Sequence, residues 1–184
     1  MSMLISTLSA PTFAASQSRL AFYAVAGKTP QEIYEIIKTS APRVASNATF
    51  ALTTPATKTI SKTLQVKGVC KYTKFKTSTF YIYTLPRHIK PETMSAKTRA
   101  KWNGFVEYLK VHEQGHGKSW DSCLSDYDQE ALGLAAKNCQ NLEKSREKLF
   151  TKIKRLCLER DEKMDFVFRK EVQSVPFLRE ALRK

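Results

Sequence analysis

Two histidines and a glutamate stand together in His112-Glu113-Gln114-Gly115-His116. A helix turns about 100° per residue, so histidines four apart project from one face at a spacing that suits two ligands of a tetrahedral zinc ion. Glu113 falls on the neighbouring flank, where a carboxylate can take a proton from a water held beside the histidines. The chemistry expected of this trio is zinc-assisted hydrolysis, with Glu113 as general base. So short a pattern also arises by accident, and its surroundings have to support it.

They do so through periodicity. Trp102, Phe105, Leu109, His112, His116, Trp120 and Cys123 follow one another at three- and four-residue steps and define one inward stripe of a long helix. A lone inward histidine is usually a core residue with both nitrogens hydrogen-bonded. Two in one stripe with a glutamate between them, in a chain with three histidines, favour a metal instead. Gly115 and Gly117 cost on the order of 1 kcal/mol each in a helix interior relative to Ala. They predict a sheet edge or a substrate passing close to the backbone.

The elements around this helix can be read in outline. From Arg19 an apolar strand leads to a turn at Gly27-Lys28 and a helix opening at Thr29-Pro30, with Thr as N-cap and Pro in the first turn, ended by Ala41-Pro42. Residues 48 to 84 alternate Thr, Val, Phe and Tyr with polar residues, predicting two or three antiparallel strands closed by Leu85-Pro86. A long helix is expected from about Ser95 to about Lys137 and a second from about Asn141 to about Arg169, followed by Pro176 and a short basic tail. The fold class is α+β: a small antiparallel sheet with one early helix, then a long helical hairpin carrying the motif, in a single domain over residues 16–184.

That hairpin supplies a third ligand. With the turn near Cys139, residue 165 lies 26 positions after it, and His112 and His116 lie 27 and 23 before it. Asp165 therefore stands level with the histidines and is the expected third metal ligand, leaving a fourth position to water. Asp161, one turn away on the same face, competes with it; Glu130 lies too far along the first helix. Cys123 and Cys157, 16 before and 18 after Cys139, face each other by the same count. A Cys123–Cys157 bridge leaves Cys70 and Cys139 for a second, although four cysteines allow three connectivities and four buried thiols are the alternative. His88 and Arg87, just after the strand, are either surface loop or a means of steadying an anionic intermediate.

Composition bounds the partners. Thirty-one Lys and Arg against 17 Asp and Glu give a formal charge of +14, spread along the chain, which favours acidic partners such as an acidic polypeptide substrate or an anionic envelope polymer. No nucleic-acid reader motif is present, so nucleic acid is not an expected partner. Residues 1–15 form a short apolar run ending in Thr12-Phe13-Ala14-Ala15, read as a signal peptide without its basic leader, and predict a periplasmic or secreted protein. No other stretch reaches the roughly 20 apolar residues of a membrane span.

On these residues the chain resembles a bacterial family of small secreted proteins of formally unknown function, described as predicted secreted zinc-dependent proteases. The resemblance runs from about Phe22 to about Asp165. It rests on Phe22-Tyr23 to Gly27, Gly68-Val69-Cys70, Leu85-Pro86, Trp102 with Phe105 and Leu109, the His112 to His116 motif, and Cys139 with its spacing to Asp165. The likeness implies an acidic residue at Asp165. Where the family reads Tyr-Asp-x-x-Thr-x-His-Gly, this chain has Met164-Asp165-Phe166-Val167-Phe168-Arg169-Lys170-Glu171, so Lys170 replaces a histidine. His88 likewise stands where the family has Trp.

The function expected from residues and resemblance together is a zinc metallopeptidase, with His112, His116 and Asp165 as ligands, Glu113 as base, and the strand before Leu85 aligning an extended substrate. The alternative is a catalytically impaired basic binding protein on a metalloprotease scaffold, recognising an anionic partner.

Overall fold

The computed structural model describes residues 17–44 and 47–183, so the signal-peptide expectation lies outside the described residues. Strand β1 (Gln17–Val25) leads into helix α1 (Pro30–Ser40), capped by the Thr29 hydroxyl, which accepts from the Glu32 N–H. Two short strands, β2 (Arg43–Val44) and β3 (Asn47–Ala48), pair with each other. Two long ones follow, β4 (Leu52–Val66) and β5 (Val69–His88). Lys67 and Gly68 between them both have positive φ, 49° and 75°, which is the geometry that turns a two-residue hairpin with the right-handed twist of its strands. Helix α2 (Ala96–Leu132), strand β6 (Ala135–Ala136), helix α3 (Cys139–Glu171) and helix α4 (Pro176–Ala181) complete the chain. Among the described residues no helix is long and apolar enough to cross a membrane.

The strand order is β1-β5-β4, with β6 adding to β5 at Cys70 and Lys71. The α+β class holds, but the sheet is mixed: β1 runs parallel to β5, pairing Gln17–Val25 with Phe80–His88. The central strand also continues through Leu85-Pro86 to His88. Pairing with β4 stops at Leu52–Thr84, so one edge of β5 is open beyond that point, where a residue lacking an N–H is tolerated. Before Phe80, the first partner of the described β1, the Thr77 N–H of β5 takes its partner from a side chain. Buried Asp128 of α2 provides it, both carboxylate oxygens accepting from the Thr77 N–H at 2.9 Å.

One face of β5 is buried residue by alternate residue against the helices, and two apolar cores form there. The first gathers Val25, Ile33, Leu85, Trp102, Phe105 and Leu109 with Phe177 and Leu178. The second gathers Cys70, Tyr72, Phe75, Cys123, Tyr127 and Leu142 with Ile153 and Cys157. Helix α2 belongs to the first core as far as Leu109 and to the second from Cys123 onward. The stretch between them on the same inward stripe is the one that carries His112, Glu113, His116 and Gly117.

Three expectations are corrected. The expected basic tail is helix α4, whose Phe177 and Leu178 are buried and stack into the first core, Phe177 lying 5.1 Å from the Phe105 ring centroid. The six residues of Pro176–Ala181 are too few to show a helical period, which hid it. Cys70 and Cys139 form a disulfide that ties the sheet to the start of α3. Cys123 and Cys157 do face each other across α2 and α3, yet both remain buried thiols. Burial, with Cys123 beside it, pushes the Cys157 thiol up to about 12, and the Arg160 guanidinium donates to Cys123 Sγ at 3.5 Å. His88, finally, is no loop residue: it is buried, its ring edge-on to Trp102, with Nε2 2.8 Å from the Gly27 carbonyl. Arg87 lies over the Phe22 ring at 5.5 Å. Trp102 is ten residues from His112, roughly 15 Å along the helix, so His88 serves the core and not the histidine pair.

Candidate metal centre

Ser95 caps α2, its hydroxyl accepting from the Thr98 N–H at 3.1 Å, and the helix then runs without a break past both histidines. The turn through β6 returns α3 antiparallel beside it, which brings Asp165 level with them. His112 Nε2 and His116 Nε2 lie 3.1 Å apart, and Asp165 Oδ1 lies 3.1 Å from the first and 3.0 Å from the second. Three ligand atoms thus form a nearly equilateral triangle. Hydrogen bonds alone cannot satisfy it, because each Nε2 carries at most one hydrogen and the triangle has three edges. A zinc ion with bonds of about 2.0–2.1 Å in tetrahedral geometry has ligands roughly 3.3 Å apart, close to these edges. Among the described residues this is the group of His, Cys, Asp and Glu side chains arranged to hold a metal ion.

Both histidines are held from behind. Asp161 Oδ1 lies 3.1 Å from His116 Nδ1, an ion-pair contact too oblique for a well-formed hydrogen bond, and Asp161 Oδ2 accepts from Trp120 Nε1 at 2.6 Å. Asp161 therefore orients the imidazole and does not join the triangle, the usual arrangement behind a metal-ligating histidine. His112 stacks on Phe168, ring centroids 4.0 Å apart. Lys170 lies over the ring of Phe166, its Nζ 4.0 Å from the centroid. Asp165 keeps a side-chain exposure of 44%, so the triangle opens toward solvent on its side.

Glu113 is buried beside the pair, 5% exposed. Its carboxylate accepts from the Thr53 hydroxyl of β4 at 2.6 Å, and the same hydroxyl lies 3.0 Å from the Glu113 carbonyl oxygen. Burial pushes its carboxyl above the ordinary value, against the Thr53 hydrogen bond and the charges of His116 and His112, which pull it down. A carboxylate so poised is a better proton acceptor than an exposed one. Thr53 escaped sequence reasoning: nothing local distinguishes it from the other threonines of β4, and only strand register brings it to Glu113.

Gly117 meets the expectation of close approach. A Cβ there would collide with the Tyr83 hydroxyl of β5, so glycine lets the sheet touch the helix one residue after His116. Tyr81, two residues earlier on the same strand face, donates to Asp121 at 2.8 Å. Gly115 faces the flexible end of Met164, which can move aside.

Without a metal, the triangle has its own electrostatics. Burial pulls His116 down, but the two carboxylates beside it, Asp161 and Asp165, outweigh that and raise its pKa to about 10. Burial pushes Asp165 up, yet the histidines outweigh it and hold its carboxyl far below the usual range. A raised histidine stabilises fully below its unfolded value near 6.5, and that contribution is lost as pH rises through the folded value. Chelator-treated protein is therefore expected to lose thermal stability steadily between about pH 6.5 and 10. His116→Ala should remove that slope; an identical slope in the variant would locate its cause elsewhere.

Residues 20–167 match the family model described as "Bacterial protein of unknown function (DUF922)". The chain belongs to this family. No curated protein and no solved structure matches it. The matched residues cover the second core and the whole triangle, and stop short of Lys170 and of α4, which gives Phe177 and Leu178 to the first core.

Proposed function

We propose that this DUF922 protein is a zinc-dependent hydrolase acting on polypeptides, with His112, His116 and Asp165 as ligands and Glu113 as general base. The observation that carries the reading is the triangle of two imidazole nitrogens and one carboxylate oxygen with a buried glutamate at its flank. A structural zinc site has four protein ligands and no use for such a glutamate; three ligands and an open side are what hydrolysis needs. The donor set fits the ion: two neutral imidazoles and a carboxylate suit zinc in both charge and softness.

Zinc bound there supplies Lewis acidity toward a carbonyl oxygen and toward water. The protein does the rest. Glu113 accepts the proton of the attacking water and returns it to the leaving amine nitrogen. Thr53 aims the Glu113 carboxylate from the sheet side, and Asp161, held by Trp120, fixes the face that His116 presents. The Tyr83 hydroxyl at Gly117 gives the sheet side a donor next to the histidines.

Two features favour a polypeptide as substrate. A pocket of about 480 Å³ opens beside His112, walled by Tyr108, Val111, Met164, Val167 and Phe168, and suits one large apolar side chain next to the bond cut. The second is a strand edge left free among the described residues. The strand before Leu85 was expected to align an extended substrate, but β5 lies between β1 and β4 over Phe80–Thr84 and has no edge to offer. The edge belongs to β4, whose Thr53 touches Glu113, and an extended chain added there would run past the triangle.

Elemental mass spectrometry on the folded protein, purified without chelator or histidine tag, tests the site directly. About one zinc per chain is expected, falling to background in His112→Ala/His116→Ala. A chain that holds no zinc after resupply would defeat the reading.

A further inference from the structure

The side of the sheet turned away from the helices has a composition of its own. From Leu52 to His88 the chain contains no aspartate or glutamate. Register places Lys62 directly across from Lys74, Leu64 across from Lys71, Ile60 across from Lys76 and Lys58 across from Ser78. Cross-strand partners share a face, and their inward neighbours Tyr72, Phe75, Thr77 and Thr79 are buried, so all of these point outward. Lys76 is held by Asp128 at 3.4 Å, whereas Lys58, Lys62, Lys71 and Lys74 are exposed.

Between the lysines lie aliphatic side chains in the open. Ile60, Leu64, Val66 and Val69 are each about half exposed, at 50%, 47%, 52% and 47%, and they continue the stripe to the hairpin tip at Lys67 and Gly68. Facing like charges destabilise a strand pair, and a face kept merely soluble mixes both signs and avoids aliphatics. This face does neither.

We infer that the outer face of the β4–β5 hairpin docks the protein on an anionic phospholipid surface. Lysine ammonium groups meet lipid phosphates while their stems and the aliphatics between them settle among the headgroups. The exposed apolar side chains among these lysines, Ile60, Leu64, Val66 and Val69, are all aliphatic, and the outward ring of Phe80 farther along β5 is half-buried, so the row of open rings that marks a single-stranded nucleic-acid platform is missing from this stretch. The helices and the histidine triangle lie on the opposite side of the sheet, so docking leaves that centre facing away from the bilayer. The inference does not depend on the hydrolase reading.

Vesicle flotation tests it. Vesicles of phosphatidylcholine with about 30 mol % phosphatidylglycerol should carry the protein at low salt, neutral phosphatidylcholine vesicles should not, and binding should weaken as salt rises. Lys58→Glu/Lys62→Glu/Lys74→Glu is expected to lower partitioning on the order of a hundredfold, at roughly tenfold or less per charge. Lys144→Glu/Lys148→Glu/Lys154→Glu, an equal change in net charge on exposed positions of α3, should leave it nearly unchanged. Ile60→Ser/Leu64→Ser should weaken binding with charge intact, which keeps the test open should the first variant fold poorly. No flotation with anionic vesicles, equal flotation with neutral ones, or equal losses from both charge variants would overturn the inference. So would a protein that ignores vesicles and is retained by a single-stranded oligonucleotide through the same lysines.

Discussion

Glu113→Gln is expected to lower kcat/KM for an unfolded polypeptide by roughly 10²–10⁴-fold while the protein keeps its zinc. Glutamine preserves volume and can still meet Thr53, so the fold and the triangle have no reason to change. What is lost is the lone pair that takes the proton, and with it the group that returns the proton to the leaving nitrogen. Full activity in the glutamine variant would reject Glu113 as base. Lost activity together with lost zinc would reassign it to holding the site.

Removing the disulfide should bring the largest change in stability. Cys70 and Cys139 are 69 residues apart, and closing a loop of that length restricts the unfolded chain by about 4 kcal/mol. For a chain of this size Cys70→Ala/Cys139→Ala should lower the melting temperature by about 10 °C. A reducing agent should do the same to the wild type and nothing to the variant. A shift under about 2 °C would mean that β6 and the second core hold the start of α3 without covalent help.

Cys123 and Cys157 show how far counting along a helical hairpin reaches. The count about Cys139 set them opposite each other, and so they are, but their pairing depended on side-chain geometry that spacing does not carry. Asp161 and Asp165 make the same point. Both fall on the correct face of α3, yet only the arrangement in space separates Asp165, at the two Nε2 atoms, from Asp161, behind His116.

The sequence by itself determined whatever repeats locally: α1 with its Thr29 cap, the two long helices, the inward stripe carrying His112 and His116, and the level of Asp165. Helical periodicity and hairpin arithmetic are short-range and survive without tertiary contacts. Only the tertiary structure decided the parallel pairing of β1, the Thr53 bond to Glu113, the touch of Tyr83 on Gly117, and the burial of α4. Each of these joins segments 30 or more residues apart through register or packing, and such pairings leave no period in the chain because they exist only once both cores have closed.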